Sequence, residues 1–129
     1  LAAGYDDEPA RQRPESLELG CVAFFCESSW KPYAWHRNAR QNKRHSHPGL
    51  SIASGKDQVA YGSSRIEGRE PQTTLLVKPT DCSLLNRPTA FLLQYSAPLN
   101  IFDIDFRKTA IAEISSKLKK ELNRKLAGV

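Results

Sequence analysis

Hydrophobic and polar positions alternate most regularly in the last third of the chain. Phe91, Leu93 and Tyr95 alternate with Ala90, Leu92 and Gln94, which predicts a strand with one wholly apolar face. Ala97-Pro98 interrupts it, because proline has no amide hydrogen to give to a ladder. Alternation resumes as a second strand, with Phe102, Ile104 and Phe106 on one side and Asp103 and Asp105 on the other. The period then lengthens. Ile111, Ile114, Leu118, Leu122 and Leu126 fall on one stripe at helical spacing, which predicts a C-terminal amphipathic helix. On this reading Asp103 and Asp105 stand near the positive end of the helix. Lys117, Lys119, Lys120, Arg124 and Lys125 lie toward its negative end, and Gly128 stops it.

Upstream, residues 17–26 read as a first strand, with Leu19, Cys21, Ala23 and Phe25 set against Val22 and Phe24. A strand apolar on both faces suits the centre of a sheet. Glu27-Ser28-Ser29 reads as a turn into a segment where Tyr33 and Trp35 share one face and Ala34 and His36 the other. Residues 50–54 and 59–62 form a predicted hairpin around Ser54-Gly55-Lys56-Asp57. A polar loop over 63–72, a β-branched strand over 73–78 and a connection over 81–88 complete the middle of the chain. The fold class that follows is α+β, an antiparallel sheet of about five to seven strands covered by one C-terminal helix. Residues 1–16, with Asp6, Asp7, Glu8, Glu15, Pro9 and Pro14, read as a flexible acidic tail ahead of a single domain over 17–129.

Composition agrees with a folded domain. Of 129 residues, 40% are hydrophobic, enough for a core and too many for a disordered chain. No apolar run approaches the ~20 residues a bilayer span requires. A chain that starts Leu-Ala-Ala-Gly and holds no methionine reads as processed from a precursor, with a lean toward secretion. Three cysteines are an odd number. Cys82 bridged to Cys21 or Cys26 would leave one thiol over, and the alternative is three reduced, buried side chains.

Charge narrows the choice of partner. The formal net charge is +5, which favours nucleic acid, acidic lipid or an acidic protein. Residues 28–56 contain no acidic side chain and hold all three histidines. Within that run, Trp30, Tyr33 and Trp35 are candidate stacking platforms, and Lys31, Arg37, Arg40, Lys43 and Arg44 candidate phosphate contacts. The expected function is a small basic binding module that engages an anionic partner through residues 31–47. RNA or single-stranded nucleic acid comes ahead of acidic protein, without catalysis or cofactor. The bland counterpart is a solvated basic loop with Tyr33 and Trp35 in the core.

Two other classes fit the same residues. A secreted effector or toxin acting as a metal-independent ribonuclease would use His36 with His45 or His47 as acid and base, and Arg40, Arg37 or Lys43 for the phosphate. A carboxylate base there would be Glu67 or Glu70. A structural or interaction subunit of a larger assembly, a viral one included, would need no such chemistry. For metals, Cys21, Cys26, His45 and His47 offer zinc-binding atoms at spacings unlike structural zinc sites. Asp103 and Asp105, on one face of a strand, would suit magnesium. On the terminal helix, Lys117, Lys120 and Arg124 form a ridge, with Glu113–Lys117 and Glu121–Lys125 as expected i,i+4 pairs. Lys43-Arg44 is a dibasic pair of the kind secretory-pathway proteases cut. Ile66-Glu67-Gly68-Arg69 resembles the recognition tetrapeptide of the clotting protease factor Xa, by chance in a mid-chain loop. Phosphate-loop and dinucleotide glycine fingerprints are absent from the sequence.

Overall fold

Strands that are apolar on alternate residues of both faces need cover on both sides, and the architecture supplies it. A computed structural model of the protein describes residues 17–30, 32, 46–54, 56–108 and 110–128. In chain order the elements are β1 (Cys21–Cys26), α1 (Glu27–Trp30), β2 (Ser46–Ser51), β3 (Val59–Ser63), β4 (Thr74–Val77), β5 (Thr89–Ala97), β6 (Ala112–Glu113) and α2 (Ser116–Ala127). The six strands form one curled sheet in the order β4-β5-β3-β2-β1-β6. Every pairing is antiparallel. With one C-terminal helix, this is the α+β class. Among the described residues, no helix is long and apolar enough to cross a membrane.

Alternation sorts the side chains into two cores. On one face, Ala23 and Phe25 of β1, Val59 and Tyr61 of β3 and Leu92 of β5 pack with Trp30, Ile101 and Ile104. On the other, Val22, Leu50, Ala60, Leu75, Val77, Phe91 and Leu93 pack under Ile114, Leu118 and Leu122. Helix α2 therefore covers the second face with a stripe at 3.6-residue spacing. At Gly49 a Cβ would lie 2.8 Å from two ring carbons of Phe25, so the first core closes only because β2 carries no side chain there.

Several local expectations give way to tertiary packing. β5 carries Phe91 and Leu93 into the second core, but its register with β3 shifts between Ala60 and Tyr61. That irregularity re-aims the next residues, and Tyr95 is left exposed. The predicted strand through Phe102, Ile104 and Phe106 is not formed. Two 3-10 turns, Ile101–Asp103 and Phe106–Lys108, flank a single bridge from Ile104 to Phe25. The cause is a local cap. Asn100 Oδ1 accepts from the Phe102 amide, and Asp103 Oδ2 accepts from the Asn100 amide, which tightens the chain into a turn. Phe102 is consequently 78% exposed.

The helix also starts later than the apolar stripe. Ile111 and Ile114 flank β6, which pairs with β1 through Cys21↔Glu113 and Val22↔Ala112. Ser115 then caps α2 by accepting from the Leu118 amide at 3.3 Å. Glu113, outside the helix, pairs with Lys119 rather than Lys117, while Glu121–Lys125 forms as expected. Asp103 and Asp105 do not serve the helix dipole, since α2 begins at Ser116. β1 sits one strand in from the edge, bordered by the two-residue β6. β2 begins at Ser46, four residues before the expected hairpin arm. The predicted acidic tail, residues 1–16, lies outside the described residues.

Candidate functional site

The expected binding segment divides sharply. Lys31, Tyr33, Trp35, His36, Arg37, Arg40, Lys43, Arg44 and His45 lie outside the described residues. Trp30 and His47 are described, and both are core. Trp30 ends the single turn α1 at 0% exposure. Its ring meets Phe25 edge-on with centroids 6.1 Å apart and Tyr61 with centroids 5.0 Å apart. It is a packing residue rather than a platform for a base. His47 is 3% exposed, its Nδ1 lies 3.3 Å from the Tyr61 hydroxyl, and its backbone pairs with Phe25. His47 is thus held within the strand packing.

The cysteines and carboxylates singled out in the sequence lie apart, and His45 lies outside the described residues. Cys21, Cys26 and Cys82 are all free thiols. Cys21 is buried in the first core and Cys82 in the second, on opposite sides of the sheet. Burial pushes both thiols up in pKa, as expected for inert packing cysteines. Among the described residues, no three His, Cys, Asp or Glu side chains converge as a metal site. Asp103 accepts from the Ser29 hydroxyl at 2.8 Å as well as capping its own turn. Asp105 is taken up by Arg107. The two carboxylates therefore serve separate local networks.

A groove unmarked by the sequence patterns lies at one end of the sheet. Its floor is the face that α2 shares, continued past the helix: Phe24 of β1, Ser46 and Pro48 of β2, Gly62 of β3 and Thr89 of β5. Phe24 and Pro48 are cross-strand partners, and strand parity puts them on the side of Val22 and Leu50. One wall carries Leu85, Asn86 and Arg87, the other Asp105, Arg107 and Lys108. The volume is about 400 Å³, within the usual range of small-ligand sites.

Asp105 organises the second wall. Its amide donates to the Phe24 carbonyl at 2.9 Å, which ties the wall to β1. Its carboxylate is buried and accepts from Arg107 Nε and Nη2, each at 3.0 Å. The Arg107 amide and the Ser46 hydroxyl also donate to it. These bonds, those of Arg107 first, hold the Asp105 carboxyl below the usual carboxylate range against the opposing effect of burial. Arg107 is thus held by its inner edge, with its side chain 62% exposed and three guanidinium N–H groups left for a ligand. The Lys108 ammonium sits 4.5 Å from the centre of the Phe24 ring, a cation–π contact. Among the described residues, three cations and one carboxylate line the groove, so their combined field is positive.

No protein-family model matches this chain, and no curated protein matches it. Arg87, Arg107, Lys108 and Phe24 were missed in the sequence because they are scattered between residues 24 and 108. The one hint available was the adjacent pair Arg107-Lys108 directly after Asp105.

Proposed function

We propose that this chain is a small basic binding module for RNA or single-stranded DNA, ahead of an acidic protein. The observation that carries the reading is the groove, with cations on both walls, hydroxyl and amide groups between them and an aromatic ring in its floor. Guanidinium and ammonium groups neutralise phosphates, and a single strand exposes bases to an aromatic surface as a duplex does not. The acid-free run supports the same partner. Ser46, which lines the groove, directly follows the residues that contain Lys31, Arg37, Arg40, Lys43 and Arg44. In the sequence that run therefore leads directly into the groove floor at Ser46.

The test is the affinity for a short, labelled oligouridylate at rising salt, by fluorescence anisotropy. Each phosphate contact contributes about −0.7 to the slope of log K against log salt for a single strand. Arg87→Ala with Lys108→Ala should flatten the slope by roughly 1.4 and weaken binding at low salt. A triple change of Arg37, Arg40 and Arg44 to alanine should flatten it further. Polyglutamate serves as the competing polyanion. If it displaces the RNA at equal charge concentration and the groove variants bind unchanged, the partner is an acidic protein and the proposal fails.

A further inference from the structure

We infer that the Phe24 ring is a stacking platform for one base, capped by Lys108 until a phosphate draws the ammonium away. This deepens the nucleic-acid reading and rests on it. Phe24 is half-buried, although its strand neighbours Ala23 and Phe25 are fully buried. Its ring lines the groove beside Pro48 and Gly62. Gly62 has no room for a side chain, since a Cβ would come within 2.9 Å of the Pro48 carbonyl and 2.8 Å of Phe91. Phe24 and Pro48, with Gly62 packed under Pro48 and the Phe91 ring, therefore make an apolar strip between two basic walls among the described residues.

An apolar face in a polar groove is costly to leave wet, and Lys108 covers it with a contact that is modest at an exposed site. The same ammonium, 4.5 Å from the ring centre, is within reach of a phosphate that enters over the ring. Exchange of partners releases one surface for the other. The ammonium leaves the ring for the phosphate, and a base occupies the ring face it vacated. Arg107 cannot make this exchange, because the buried Asp105 carboxylate holds it in place. The fixed guanidinium positions the backbone while the mobile ammonium acts as the cap.

The experiment compares an oligouridylate with an abasic oligonucleotide of the same length and charge. Wild-type protein should favour the base-bearing probe by about 5- to 160-fold, the range that single aromatic platforms provide. Phe24→Leu, which keeps the core apolar, should remove that preference while leaving the salt slope unchanged. Phe24→Trp should restore or increase it. Lys108→Gln should flatten the salt slope by about 0.7 and widen the preference for the base-bearing probe, because the ring is uncapped. Equal binding of both probes by wild-type protein would overturn the stacking role and leave nucleic-acid binding standing. Failure of both probes to bind would overturn the nucleic-acid reading, and this inference with it.

Discussion

Replacing Trp30 by alanine separates packing from recognition. The side chain is fully buried and closes an aromatic cluster with Phe25 and Tyr61. Truncating a buried tryptophan costs about 3–5 kcal/mol, and each edge-to-face pair adds roughly 0.5–1.5 kcal/mol beyond area alone. With two such pairs lost, Trp30→Ala should fall at the upper end, about 4–5 kcal/mol. Natural domains hold only about 5–15 kcal/mol in total. At a urea dependence of about 1.5 kcal/mol per molar, the midpoint should drop by roughly 3 M. Equilibrium urea unfolding is the assay. In a Trp35→Phe background, the emission of the remaining tryptophan should be blue-shifted and protected from acrylamide. An exposed platform behaves oppositely: its removal costs under about 0.5 kcal/mol and shows in ligand affinity instead. A destabilisation below about 1 kcal/mol, or free quenching of Trp30, would refute the packing assignment.

Two further outcomes follow from buried groups. Asp105 has its folded pKa depressed by Arg107, so its contribution to stability is present above the unfolded value of about 3.9 and is lost as pH falls through the lower folded value. Asp105→Asn should therefore flatten acid unfolding below about pH 4, and an unchanged acid limb in urea midpoints would contradict the pairing. Cys21 and Cys82 are buried, free and raised in pKa. An Ellman titration should find them silent in the native protein and all three cysteines reactive in denaturant without reductant.

The parts of the fold that could be read from the chain were those where local pattern and tertiary demand agree. Val59 to Ser63, Thr74 to Val77 and Thr89 to Leu93 are strand-like in sequence and pair as strands whose successive side chains enter the core. The stripe Leu118–Leu122 needs a helix and finds the sheet face to cover. Expectation failed where a polar side chain captured the backbone. Asn100 and Asp103 turned an alternating segment into a 3-10 turn, and Ser115 moved the helix start. His47 looked like a loop residue because charge was read over a window, whereas strand register with Phe25 drew it inside. The groove was hidden for a geometric reason. Its ring comes from β1, its floor from β2, β3 and β5, and its cations from two separate connections. Only the antiparallel order of the sheet brings them together.

A single strand is proposed to dock in the groove between Arg87 and Lys108. Ultraviolet crosslinking of a photoreactive oligouridylate, with the adducts mapped by mass spectrometry, tests this directly. Adducts are expected on Phe24, on the walls around Arg87 and Lys108, and in the peptide bearing Arg37 to Arg44. Adducts confined to the Lys117, Lys120 and Arg124 ridge of α2, with the groove peptides unmodified, would contradict it.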